Sequence, residues 1–382
     1  MNKGFQVEEF LVERWMNTYE NDAVYNLAET DAKPFTLIEL LALGDQNRHI
    51  QELLDLKISY NPTLGSDRLR ALLASQYRDT GPEQILVTTG AIEANFLLAN
   101  VLIEPGDTII IQSPAYQALY SVAEARGANV KHWTMHLDEG YQPDLERLAA
   151  LLDENTRAVI LNIPHNPTGA VLSAKDLQTI IGWAEEKDFW VICDEVYHDM
   201  LLEPNVLPDK ARSYSSRAIS IGSFSKSFGL SGLRLGWIAA PQWVVERCWC
   251  WKDYTSISIS PLNDYLACFA LEHRDGVFKR NIPLALENRK TLMAWFSAHA
   301  DVLEFVPPKA GLLTFPRFRD LPMSTQDFCL EVYNKEKVLL LPGECFKLPG
   351  YLRIGYGNDS QVFSAGLDIV SSYIRQAYEQ GR

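Results

Sequence analysis

Lys226 lies in "ISIGSFSKSFGLSGLRLGWIAAP", residues 219–241. There an apolar, β-rich run gives way to Ser223, Ser225 and Ser227, then to Arg234, with no acid close by in the chain. A lysine amine has a reference pKa of about 10.4, so near neutrality it is protonated and a poor nucleophile. Joined as an imine to an aldehyde, the same nitrogen stops being an ordinary charged lysine. Other polar residues come after apolar runs in the same manner. Asn166 stands in "PHNPTG" after "AVILNI", Asp194 after "WVIC" with Tyr197 close behind, and Tyr116 after "IIIQSP". Gly90, Ala91 and Ile92 come after "ILVTT" and open a helical pattern whose free N–H groups can hold an anion. Taken one at a time, these are ordinary turn, cap and loop residues. Their joint placement at the ends of strands is what points to chemistry.

The elements that must position them are read from periodicity. Seven short β-rich runs occur at 84–89, 108–113, 129–135, 157–163, 189–194, 218–223 and 235–240. Several are almost continuously apolar, as strands buried on both faces are. Helical patterns such as "AIEANFLLANVLI" and "AKDLQTIIGWAEEKD" separate most of them. This predicts an α/β fold: a mostly parallel, helix-covered seven-stranded sheet with ligands at the carboxyl ends of its strands. The link between the last two runs is short, so one of them can run antiparallel. Beyond about residue 262, long helices, a few short strands and a final amphipathic helix predict a smaller α+β domain. The expected division is 1–35 as an N-terminal segment serving the small domain and the substrate side, 36–262 as the large domain, and 263–382 as the small one.

Pyridoxal phosphate is the aldehyde cofactor that would use every group in this set. Its phosphate needs backbone donors, hydroxyls and an arginine, which Ala91, Ile92, Ser223, Ser225 and Arg234 can supply. Its ring nitrogen needs an anion, for which Asp194 is the candidate. Its phenolic oxygen needs donors, as Asn166 and Tyr197 are, and its ring face suits Tyr116. Opposite charges about 4 Å apart attract by roughly 4 kcal/mol at an effective dielectric near 20, or about three pKa units. That is enough to keep a pyridine nitrogen protonated at neutral pH.

The set "YNPTLG", "TTGAIEA", "SPAY", "PHNPTG", "CDEVY", "SFSKSFGLSGLRLGW" and "LRIGYG" resembles the class I/II aminotransferases of the fold-type I pyridoxal-phosphate enzymes. The resemblance implies that Lys226 bears the cofactor imine, Asp194 holds the pyridinium, and Asn166 and Tyr197 hold the phenolic oxygen. Tyr116 would stack on the ring, with Ser223, Ser225, Arg234 and the Gly90 turn at the phosphate. It further implies that Tyr60 reaches the phosphate of a neighbouring subunit in a homodimer. Arg353 would clamp the substrate's α-carboxylate, and cis peptides would precede Pro114 and Pro167. The expected substrates are an amino acid and a 2-keto acid, exchanged by transamination. "PHNPTGA", "LSGLRLGW" and "KDYTSISISPL" are also similar to the capreomycidine-synthase-like branch, which offers elimination and cyclisation as the alternative. Where relatives carry a Gly-x-Pro-Asp-Phe type of loop, this chain reads "NLAETDAKPFTLIEL". Glu29 and Asp31 in that stretch are read as solvated loop acids, with contact to a cationic substrate as the other reading.

Bulk properties narrow the classes. With 382 residues, 47% hydrophobic and 22% charged, the chain can bury a sizeable core. A formal charge of −14 and the lack of any basic cluster argue against nucleic acid as a partner. They also argue against a regulator with its own DNA-binding module. No G-x-G-x-x-G joins a strand to a helix, which argues against a dinucleotide-binding dehydrogenase. Six scattered cysteines, Cys248 and Cys250 among them, read as reduced thiols, and no metal site is expected. "MNKGFQVEEFLVERW" has no uninterrupted apolar stretch, so the expectation is a soluble cytoplasmic protein without a membrane partner.

Overall fold

The computed structural model describes residues 6–204 and 206–380. A short helix, α1 (Leu11–Tyr19), opens the chain and leads to a two-residue strand, β1 (Tyr25–Asn26). The main sheet comes next: β2 (Ile85–Thr88), β3 (Thr108–Ser113), β4 (Asn129–Thr134), β5 (Thr156–Asn162), β6 (Trp190–Asp194), β7 (Ala218–Ser223) and β8 (Gly236–Ala239). Its order is β2-β8-β7-β6-β5-β3-β4. All seven expected runs are present, trimmed by a residue or so at their ends.

Strands β3 to β7 pair parallel to one another, and β8 is antiparallel to both β2 and β7. The chain between Ser223 and Gly236 is taken up by the serine turn, which leaves no room for a crossover helix. The reversal has a use: β8 starts where β7 ends, so Arg234 is delivered to the same edge as Lys226.

The nearly continuous apolar runs are explained by burial on both faces. Ile109 and Ile111 enter one core cluster while Ile110 enters another, and Ile192 is likewise opposed to Val191 and Cys193. The helix Gly90–Leu102 packs on one face and the helix Ala174–Lys187 on the other. Asn162 is in register with Asp194, so β5 and β6 end together, and Asp194 with Ile221, so β7 runs two residues further to Ser223.

The C-terminal part has short strands: β9 (Leu303–Glu304), β10 (Leu313–Thr314), β11 (Arg317–Phe318), β12 (Val338–Leu339), β13 (Leu341–Pro342) and β14 (Leu352–Gly355). β14 lies between β10 and β13, β9 pairs β11, and β12 pairs β1 in parallel. The N-terminal segment is thus stitched to the C-terminal strands. Leu27 N–H donates to Leu339 O at 2.9 Å, and Gly355 N–H donates to Leu27 O at 2.8 Å. The long helices Pro261–Glu272, Arg274–Ala298 and Ser360–Gln380 complete this part. Among the described residues, no helix is long and apolar enough to cross a membrane.

Gly355 marks the closest approach of the two segments. A Cβ there would lie 1.7 Å from Glu29 O, a backbone atom that can move only with its segment of chain. Gly355→Ala is therefore expected to lower unfolding free energy by about 1–3 kcal/mol, measured by urea denaturation. A variant as stable as the parent would show that residues 27–31 yield freely.

Candidate active site

A cavity of about 480 Å³ opens at the carboxyl ends of β5, β6 and β7. Its floor is built by the turn after β7. Ser223 Oγ accepts from Ser225 N–H at 2.9 Å and donates to Leu235 O at 3.2 Å. Ser227 Oγ donates to Val196 O at 3.0 Å. The serines thus shape the turn from which Lys226 enters the cavity.

One end of the cavity suits an anion. Ala91 and Ile92 lie in the first turn of a 13-residue helix, whose unpaired N–H groups and dipole favour negative charge. Beside them Arg234 rests on neutral oxygens, donating to Ser231 O at 3.0 Å and to Ser225 Oγ at 3.5 Å. No carboxylate pairs with Arg234 among the described residues. Gly90 backs this end with φ of +77°, and a Cβ there would lie 2.8 Å from Arg234 Nη2. Only glycine both adopts that backbone and leaves the guanidinium its place.

Asp194 forms the middle. It is 6% exposed, and its carboxylate accepts only from neutral donors. These are Val196 N–H at 3.2 Å, Asn95 Nδ2 at 3.4 Å and Asn162 Nδ2 at 3.5 Å. Burial pushes its pKa up to about 6. Asn162 also accepts from Asn166 N–H at 2.6 Å and so fixes the adjoining loop. Tyr197 is buried, and its hydroxyl lies 2.7 Å from Thr30 Oγ1. Peptides Ser113–Pro114 and Asn166–Pro167 are cis as expected, and so is Ile163–Pro164, which was not foreseen.

At the other end Arg353, on β14, is 4% exposed. It donates from Nη1 to Asn166 Oδ1 at 3.2 Å and from Nη2 to Ala28 O at 2.9 Å. Its Nε is buried without a partner. Tyr116 lines the cavity and donates through its hydroxyl to Glu13 of α1, which together with Val12 and Met16 roofs the space.

Two expectations need correction. Asp31 is no solvated loop acid: its side chain is 4% exposed and ion-pairs with Lys226. Lys226, read as having no acid near it, therefore has one supplied from 195 residues away. Glu29 also lines the cavity, and burial together with the charge of Asp31 raises its pKa. Burial works against the Lys226 ammonium, but Asp31, Tyr197 and Glu29 outweigh it and hold its pKa above the usual lysine value.

The structure brings together Ala91, Ile92, Tyr116, Asn166, Asp194, Tyr197, Ser223, Ser225, Lys226, Arg234 and Arg353 around one cavity, with Gly90 behind its wall. Tyr60 is not among them. Its ring is 85% exposed, on a loop pinned by Asn61 and Ser66 to Asp264. Asn95 and Asn162, which hold Asp194, were not singled out from the sequence. Asn162, a lone polar residue inside the apolar run "AVILNI", carried a usable signal.

The cavity fits an elongated molecule with an anionic group, a cationic ring position and a carbonyl carbon within reach of Lys226. A buried carboxylate lacking a cation, an arginine on neutral oxygens and a helix N-terminus are what such a group would complete.

The family of proteins built on this fold and site is that of the class I and II aminotransferases. The chain belongs to it: the model of that family, Aminotransferase class I and II, matches residues 47–365. The chain is 31% identical over 361 residues to capreomycidine synthase of Streptomyces vinaceus, covering 94% of this chain and 92% of that one. It is 28% identical to aromatic-amino-acid aminotransferase 2 of Thermococcus litoralis, over 83% of this chain and 84% of the relative. Among solved structures, a PLP-dependent aminotransferase from Streptococcus suis superposes with a TM-score of 0.92 at 32% identity, covering 97% of this chain and 99% of that one. The PLP-dependent cyclase OrfR superposes at 0.90 with 28% identity, covering 97% and 98%. The protein is a fold-type I enzyme whose cofactor is pyridoxal 5′-phosphate.

The raised pKa of Asp194 makes a signed prediction. Because it lies above the unfolded value of 3.8, the native state binds more protons than the unfolded chain between roughly pH 4 and pH 6. Stability is therefore lost as pH rises through that window. In cofactor-free protein, Asp194→Asn should match the parent near pH 4 and exceed its stability by on the order of 2 kcal/mol above pH 6. Urea unfolding at the two pH values checks this, and equal stability at both would mean that the carboxylate is solvated.

Proposed function

We propose that this enzyme moves an amino group between an amino acid and a 2-keto acid, with Lys226 as the group that carries the proton. The observation that carries the reading is the convergence of Lys226, Asp194, Arg234 and Arg353 on one cavity. Bound there, the cofactor supplies an electron sink for the pair left on the substrate's α-carbon.

Asp194 would hold the proton on the ring nitrogen, and Asn166 and Tyr197 would donate to the phenolic oxygen. Arg234, Ser225 and the N–H groups of Ala91 and Ile92 would hold the phosphate, with Ser223 bracing the turn through Leu235 O, and Tyr116 would cover the ring face. Arg353 keeps its charge uncancelled for a carboxylate, because its partners are neutral oxygens that take one N–H from each Nη. Lys226 Nζ takes the proton from Cα and returns it elsewhere on the same conjugated system, first as base and then as acid. Its tether to the site gives that transfer a high effective concentration. Tyr60, exposed on its loop, supports the reading that a second copy of the chain completes the phosphate end in a homodimer.

A second reading shares these first steps and then expels a substituent from Cβ, with ring closure. Two observations favour it. Glu29 and Asp31 face the substrate space, and the likeness to capreomycidine synthase runs over 94% of the chain, whereas the family model begins only at residue 47.

Incubation with a panel of amino acids, with and without 2-oxoglutarate, separates the two. Keto acid formed only with the acceptor is the expected result; ammonia or a cyclic product without it would overturn transamination. Lys226→Ala should lose the near-ultraviolet to violet imine absorption and at least about 100-fold in turnover. Retention of both would remove Lys226 from its role.

A further inference from the structure

The segment that carries Asp31 is held from both sides. Ala32 N–H donates to Lys226 O at 2.9 Å, and Lys33 N–H donates to Gly357 O at 2.8 Å. Phe35 N–H donates to Gly229 O at 3.2 Å. Arg280 closes the far end, donating to Lys33 O and Pro34 O at 2.9 Å each. Contact with the C-terminal strands is close, since a Cβ on Gly357 would lie 2.1 Å from Asp31 O. The Asp31 carboxylate is therefore fixed relative to the Lys226 backbone by a direct hydrogen bond from the next residue. At 4% exposure it is also shielded from water.

Other charged or titratable groups face the amine from every side. Glu29 lies on the same segment, Asp194 and Tyr197 at the end of β6, and Arg353 on β14. Among the described residues, only Asp31 hydrogen-bonds to it. The proton transfers assigned to Lys226 give Asp31 no task.

The geometry points to Asp31 as the positioning residue that keeps the proton on Lys226 Nζ. The inference rests on the proposed function. When the Cα–H bond breaks, its electron pair stays with carbon and the proton forms a new N–H bond on Nζ. Asp31 balances the ammonium so created, until the proton leaves Nζ again. An uncharged residue at 31 would leave that ammonium without a charged partner in contact, and so would weaken Lys226 as a base.

The test is a spectral pH titration of the holoenzyme, tracking the violet band of the protonated imine. Asp31→Asn is expected to move its midpoint downward by about 1–3 pH units. Glu29→Gln, whose carboxylate makes no hydrogen bond to the amine, should move it less. With donors bearing uncharged side chains, Asp31→Asn should lower kcat by at least about tenfold while KM stays within about threefold. An unchanged midpoint would overturn the inference. So would a loss seen only as a raised KM for donors with basic side chains, which would make Asp31 a substrate contact.

Should the variant not fold, the parent protein still decides. In its cofactor-free form, carbamylation of Lys226 by cyanate, read by peptide mass spectrometry, should have its pH midpoint above the ordinary lysine value of about 10.4. A midpoint at or below it overturns the inference. Borohydride reduction of the parent holoenzyme keeps the two levels apart. No adduct on Lys226 would sink the proposed function itself, whereas an adduct with an unshifted Asp31→Asn midpoint sinks only the role of Asp31.

Discussion

Asn162 stands opposite Asp194, and Asp194 opposite Ile221, so backbone hydrogen bonds hold the ends of β5, β6 and β7 in step. A slip of one residue would turn Asp194 from the cavity to the other face of the sheet. The same alignment lets Asn162 reach the carboxylate of Asp194 from the neighbouring strand while gripping the backbone of Asn166. Because both faces of these strands are packed with Ile, Val and Leu, a slip would also misplace two cores at once. The chemical groups are thus located by apolar burial, and the polar contacts only trim their aim.

Within that frame, the partners of the charges matter more than their number. Arg234 and Arg353 both rest on hydroxyl, amide or carbonyl oxygens, which satisfy donors without cancelling charge. Each end of the cavity therefore keeps a positive field for an incoming anion. Asp194 is the mirror case, a carboxylate held by neutral N–H groups and left short of a cation. Lys226 is the exception, because its counterion is already in place. The cavity thus presents positive charge at both ends and an unpaired carboxylate between them.

Much of this was legible from the chain because the informative residues sit at strand ends, and strand ends are local patterns. Lys226, Asp194, Asn166 and Tyr197 could be found because each stands just past the end of an apolar run. Asp31 could not, since its partner lies 195 residues on and nothing in "NLAETDAKPF" signals burial. Asn95 was hidden within a helix and Asn162 within a strand. The small strands were harder for another reason. "LLTFPRF" divides into β10 and β11 around Pro316, which has no N–H to give a ladder, and "VLLLPG" divides between β12 and β13, which pair with different strands. The direction of β8 depended on the length of a link whose contents became clear only once the serine turn was seen folded.

The chain from Leu27 to Phe35 has one set of bonds on the C-terminal strands, through Leu339, Gly355 and Gly357, and another on the lysine turn, through Lys226 and Gly229. β14, which bears Arg353, is bonded to this same stretch at Gly355. Arg353 is thus tied to the segment bearing Asp31 twice, by main chain through Gly355 N–H and by its own guanidinium through Ala28 O. The acid beside the amine and the arginine at the far end of the cavity hang on one short stretch of chain.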